Sequence, residues 1–132
     1  MDTQKQINEQ LIYTIMDGKE EKVKILLEVG ADINAKDENG LAPIHVFSEC
    51  CYEMIERLIQ YGADVNIKDR IGKTPLHHAV DYACTGGIIE LLIKNGADIN
   101  IKDKDGHTPL YYAQEYNNEK SIKLLKEHGA VE

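Results

Sequence analysis

Cysteine is scarce in this chain of 132 residues: only Cys50, Cys51 and Cys84 occur. Odd in number and without framework spacing, they exclude a disulfide-stapled secreted scaffold and fit a reducing compartment. No run approaches the roughly 18 consecutive apolar residues of a membrane span. The N-terminus, MDTQKQINEQ, also lacks the basic start and apolar segment of a secretory signal. An intracellular, cytoplasmic protein is expected, or one in a host cell's cytoplasm or nucleus if the source is viral or bacterial. Positive charge is in deficit as well, with 15 Lys and Arg against 23 Asp and Glu and a formal net charge of -8. Nucleic acid and anionic membrane both need a basic footprint, so neither is expected as a partner. No G-x-S-x-G, H-E-x-x-H, P-loop or G-x-G-x-x-G occurs, and no carboxylate pair stands apart from the solvated charges around it. Neither enzymatic chemistry nor a cofactor is expected.

What the chain does have is a period. Gly30, Gly62, Gly96 and Gly129 open near-copies of one phrase (GADINAKDENG, GADVNIKDRIG, GADINIKDKDG, GAV) at separations of 32, 34 and 33 residues. A repeat of about 33 residues with a tight turn and two short helices belongs to a stacked array, whose units bury apolar faces against one another. Within residues 69–102, Thr74 is placed to cap a helix, Pro75 to occupy its first position and Leu76 to turn inward. Gly86 and Gly87 should break that helix. Ile88, Ile89, Leu91, Leu92 and Ile93 then supply the apolar stripe of a second, antiparallel one. Gly96 ends it, and Ile99 and Ile101 read as an extended arm. Asn39-Gly40 and Asp105-Gly106 predict two-residue hairpin turns at the arm tips.

The segments Thr74-Pro75-Leu76-His77-His78-Ala79 and Thr108-Pro109-Leu110-Tyr111-Tyr112-Ala113, with the following Gly-Ala-Asp-(Ile/Val)-Asn and Asp-x-x-Gly, closely resemble the ankyrin repeat. The resemblance covers nearly the whole chain. It implies an all-α solenoid of stacked antiparallel helix pairs with short β-hairpin fingers, and no catalysis by the repeats. One domain over residues 1–132 is expected. Residues 1–29 would be an N-terminal capping repeat, 30–61 and 62–95 the second and third repeats, and 96–132 a C-terminal capping repeat. Ser121 and Lys126, standing where the third repeat has Ile88 and Ile93, read as polar dressing of that last unit. Four repeats with both ends dressed are expected to make a complete protein. The second repeat is irregular, with Ala42 in place of the capping threonine and Phe47 where Ala79 and Ala113 stand.

The resemblance also implies where a partner protein would sit: on a concave face made of the finger tips and first helices. Carried onto this chain, the positions are Glu38, Asn39, Leu41, Val46, Glu49 and Cys50 in the second repeat. The third gives Arg70, Ile71, Lys73, His78, Asp81 and Tyr82, and the fourth gives Lys104, Asp105, His107, Tyr112, Glu115 and Tyr116. In the capping repeat the count points to Tyr13, Met16 and Asp17. The set is rich in tyrosine, an efficient interface residue, and Tyr82 and Tyr116 are favoured over Tyr112. The expected function is non-catalytic binding of a protein, one bearing a basic patch, by a monomer acting as inhibitor, decoy or adaptor. The alternative is a metal- or redox-responsive sensor built on Cys50, Cys51 and Cys84. His45 and His77 stand at the family's TPLH histidine position, which ties a helix start to the neighbouring finger. Asn34, Asn66 and Asn100 each have a leucine eight residues upstream (Leu26, Leu58, Leu92), similar to the context of ankyrin asparagines hydroxylated by oxygen-sensing dioxygenases. An asparagine there also bonds hairpin backbone in its own right.

Overall fold

The computed structural model describes residues 3–47, 52–80 and 86–132, with Phe47 and Gly86 described in backbone only. Eight helices lie among the described residues: α1 (Thr3–Met16), α2 (Glu20–Glu28), α3 (Pro43–Phe47), α4 (Tyr52–Gln60), α5 (Pro75–Ala79), α6 (Gly86–Lys94), α7 (Pro109–Glu115) and α8 (Glu119–Glu127). They pack in consecutive pairs. First helices stack in the row α3, α5, α7 and second helices in the row α4, α6, α8, with α1 set against α4. None of these helices is long and apolar enough to cross a membrane.

The apolar stripes meet between the rows. Leu11, Ile44, Ile55, Leu58, Leu76, Ile89, Leu92 and Leu125 are fully buried, and Ala79 and Ala113 let neighbouring first helices approach. Each such leucine or isoleucine contributes about 1.5–3 kcal/mol by leaving water. The core therefore runs along the stack and is cooperative between neighbouring units.

Helix starts follow the sequence with one elaboration. Thr74 caps α5, and its backbone N–H in turn donates to His77 Nδ1 at 3.0 Å, so a histidine completes the reciprocal box that glutamate usually provides. The flanking units each keep half of it. Ala42 has no hydroxyl, yet its N–H still donates to His45 Nδ1 at 2.9 Å. Thr108 accepts the Tyr111 N–H at 3.3 Å, with no ring nitrogen to answer it.

Several local expectations are corrected. Gly86 and Gly87 do not separate the two helices of their unit; they form the first turn of α6, and Gly87 lies under the Tyr52 ring. Ser121 is not dressing: it is 1% exposed, occupying the interior position that Ile88 fills one unit earlier. Lys126 is exposed. The fingers are hydrogen-bonded turns, and no β-strand occurs among the described residues. A strand ladder is absent because aspartate side chains take the amides it would use. Asp98 Oδ1, for example, accepts the Asn100 N–H at 3.1 Å and folds the supposed arm at Ile99 into a turn.

The finger tip is also wider than a two-residue hairpin. Gly40 N–H bonds the Asp37 carbonyl at 3.0 Å, Asp37 N–H bonds the Leu41 carbonyl at 2.9 Å, and Gly40 alone takes positive φ, at 74°. That is a three-residue turn ending in a left-handed glycine. The next finger rests on it. Arg70 N–H donates to the Asn39 carbonyl at 3.1 Å, and a Cβ on Gly40 would come within 2.6 Å of the Arg70 nitrogen.

Candidate functional site

Three sets of polar contacts build the face on which fingers and first helices meet. The first is the pair of buried histidines. His45 Nδ1 accepts from Ala42, so its Nε2 carries the proton and donates to the carbonyls of Ile67 at 2.8 Å and Lys73 at 3.1 Å in the next finger. His77 Nε2 likewise reaches the His107 carbonyl at 2.9 Å. Burial holds both rings below the ordinary histidine value; for His45 the neighbouring His78 pushes the same way, and the carbonyls oppose it. Both are neutral ties between units.

The second set is the finger aspartates. Asp37, Asp69 and Asp103 each use Oδ1 to accept two backbone amides of their own turn, at 2.8–3.0 Å. What Oδ2 does depends on the residue nine positions later, on the first helix of the same unit. His78 Nε2 lies 2.8 Å from Asp69 Oδ2, and the Tyr112 hydroxyl donates to Asp103 Oδ2 in a short hydrogen bond. Burial raises the Asp103 carboxyl, but the Tyr112 hydroxyl and the His107 and Asp105 amides outweigh it and hold the group below its usual value. The Lys73 ammonium sits 4.2 Å from the centre of the Tyr112 ring. Val46 holds the ninth position after Asp37 and donates nothing.

The third set is an amide ladder between successive Gly-Ala-Asp turns. Asn66 Oδ1 accepts the Asp98 N–H at 2.8 Å while its Nδ2 donates to the Gly96 carbonyl at 2.9 Å. Asn34 makes the same pair of contacts to Asp64 (2.8 Å) and Gly62 (3.4 Å), and Asn100 to Val131 (3.0 Å) and Gly129 (3.2 Å). In the first unit, which has no such asparagine, two side chains of α1 divide the task. Asn8 accepts the Asp32 N–H at 2.8 Å and Gln4 donates to the Gly30 carbonyl at 2.7 Å. The amides marked as candidate hydroxylation sites are thus engaged at both ends, Asn34 and Asn66 in linking units and Asn100 in tying its turn to the segment after α8.

These contacts sort the sequence-derived binding positions. Tyr112, His78 and Lys73 are half-buried and engaged within the face. His107 is half-buried too, its ring stacked on Tyr111 at 3.7 Å between centroids. Leu41 is half-buried, while Glu38, Asn39, Arg70, Lys104, Asp105 and Glu115 are exposed. The apolar positions left open are Val46 (50% exposed), Ile71 (52%) and Tyr116 (55%). Glu49, Cys50, Cys51, Asp81, Tyr82 and Cys84 lie outside the described residues. In the first unit Tyr13, Met16 and Asp17 are exposed. Sequence reasoning missed Asp37, Asp69, Asp103, Tyr111, Gln4 and Asn8. The recurrence of Asp and, nine residues on, His or Tyr was a readable signal for the aspartates.

Among the described residues, two clusters bring metal-ligating atoms together: His45, Asp69 and His78, and Asp103, Asp105 and His107. In the first, the Ala42 amide fixes the His45 tautomer with its remaining nitrogen protonated toward carbonyls. In the second, Asp103 already accepts two amides and a phenol. Both clusters are better described as turn and interface bonding.

A family model described as ankyrin repeats in three copies matches residues 11–103 and 81–132. The chain belongs to the ankyrin-repeat family. A search of curated proteins found no match. Ankyrin repeats are generally protein-interaction modules and typically non-catalytic. The ties described above are what make such a module from this chain: the second and third ankyrin units use their histidine and asparagine to hold the next, and the finger aspartates close turns within their own units. The side chains outside those ties are the ones free to meet a partner.

Proposed function

We propose that the protein is a monomeric, non-catalytic binder that holds a partner protein against its concave face of finger tips and first helices, as an inhibitor, decoy or adaptor. The observation that carries this reading is the exposure of side chains outside the ties: Val46, Ile71 and Tyr116 offer apolar area, and Glu38, Asp105 and Glu115 add exposed carboxylates alongside the exposed Arg70 and Lys104. Tyr116 follows Tyr112 by one helical turn, so it shares the finger-side face while keeping its ring in water. The net charge of -8 favours a partner with a basic patch and disfavours nucleic acid and anionic membrane. Four short repeats fit the blocking of one surface better than the gathering of several partners.

Replacing Ile71 and Tyr116 together by alanine is expected to leave thermal stability within a few degrees and to weaken partner capture from native lysate by about 2 kcal/mol or more. Ile25 and Val29, exposed at the end of α2 and beyond it, supply the control pair. Loss of capture on truncating that pair, with the Ile71/Tyr116 variant unaffected, moves the interface to the second helices and refutes the concave-face assignment.

A further inference from the structure

Asp37 is the one finger aspartate, of the three, whose second oxygen has no donor from the ninth residue on. Asp69 has His78 and Asp103 has Tyr112, while the second repeat places Val46 there. Asp37 Oδ1 is satisfied by the Asn39 and Leu41 amides, at 2.8 and 2.9 Å, so the turn holds this exposed carboxylate in place. Beside it runs a groove of about 660 Å³ between α1 and this finger. Its apolar wall includes Ile12, Leu41 and Val46, and its charged rim has Glu9, Asp32, Asp37 and Glu38 against Lys5 and Lys36. The rim is net acidic and the floor partly apolar. That combination suits a long side chain with a hydrocarbon stem and a cationic, planar head.

We propose that this groove seats an arginine side chain of the partner protein, its guanidinium on Asp37 and its stem along Val46 and Leu41. The inference rests on the concave-face reading and adds to it a position and a chemistry. An oriented carboxylate with one open oxygen meets a guanidinium by a charge-assisted hydrogen bond, which lysine makes only as a point charge. In the third and fourth units the equivalent carboxylate is closed by its own histidine or tyrosine, so the array offers this contact at its N-terminal end.

The test titrates the 15N-labelled full chain with acetyl-Leu-Arg-Leu-amide, and in parallel with the same peptide carrying citrulline or lysine. Saturable amide shifts are expected at Asn39, Leu41 and Val46, with citrulline binding weaker by about fivefold or more because it keeps the shape and loses the charge. Asp37→Asn retains the oxygen that closes the turn and removes the charge; it should weaken the arginine peptide by a similar factor. Val46→Tyr should supply the missing internal donor and suppress binding, and Val46→Ala, which supplies none, should retain it. Equal affinity for arginine and citrulline, equal affinity for arginine and lysine, binding unchanged in Asp37→Asn, or shifts centred elsewhere each overturn the proposal. If the groove fails these tests while Ile71 and Tyr116 still govern partner capture, the concave-face reading stands without it. If the groove passes in the peptide titration but partner capture is lost with the Ile25/Val29 pair and not with Ile71/Tyr116, the concave-face reading falls by itself.

Discussion

Asn66 offers the sharpest test of how the units are joined. Its side chain closes two hydrogen bonds to the next unit, at 2.8 Å from the Asp98 N–H and 2.9 Å to the Gly96 carbonyl. Asn34 makes one of comparable length, at 2.8 Å, and one of 3.4 Å, beyond the usual range for an amide donor. At about 1 kcal/mol net for each well-formed bond, Asn66→Ala should cost about 2 kcal/mol and Asn34→Ala about 1 kcal/mol. In a domain of this size the difference corresponds to roughly 4 °C in melting temperature. Urea unfolding followed by circular dichroism measures both losses. Amide exchange reads the bond itself, because the Asp98 N–H has the Asn66 oxygen as its acceptor and should lose protection selectively in Asn66→Ala. Equal destabilisation by the two variants, or Asp98 exchange that does not change, would refute the ladder as a source of coupling between units.

Other expectations follow from the same contacts. Gly40→Ala meets both a positive φ and a backbone nitrogen at 2.6 Å, whereas Gly106→Ala, with φ of 79°, meets nothing within 4 Å. The first should therefore cost about 2 kcal/mol more than the second in denaturant unfolding, and equal losses would mean that the fingers do not stack as described. His45 and His77 have lowered folded-state values, so the unfolded chain binds protons more readily than the folded one. Their contribution is fully present above the unfolded histidine value of about 6.5 and is lost as pH falls below it, which thermal melts from pH 7.5 to 5 would reveal as a falling midpoint. Tyr112→Phe removes the donor to Asp103 and should destabilise by about 1–2 kcal/mol at neutral pH. Because the hydroxyl helps depress the Asp103 carboxyl, part of the stability lost as pH falls through the carboxylate range should vanish in that variant, whereas Tyr116→Phe should change neither quantity.

Most of the architecture was legible from local pattern. The glycine period located the units, and Thr74-Pro75 and Thr108-Pro109 located the starts of α5 and α7. Signals of one to four residues suffice there because caps and turns are local physics. Where a residue's partner lies in another unit, the same reading faltered. Ser121 looked like surface by its polarity and is buried by its position, and Ile99 looked like a strand residue by its branching and lies in an aspartate-closed turn. Gln4 and Asn8 carried no visible mark, since their role exists only once the loop at Gly30 and Asp32 is brought beside α1.

The candidate site divides along the same line. By itself the sequence determined that the chain is a stack of helix pairs; its resemblance to the ankyrin repeat implied a face of fingers and first helices and the positions expected to face outward in a generic unit. Only the tertiary structure decided which of those side chains are available. Tyr112 and Tyr116 are one helical turn apart and identical in type, yet one closes a carboxylate and the other stands in solvent. Val46 and His78 occupy equivalent positions, and the difference leaves Asp37 open where Asp69 is closed. The reason is geometric: the turn of a finger and the helix nine residues later meet only after the unit has folded, and a hydrogen bond made there removes a polar group from those that can bind.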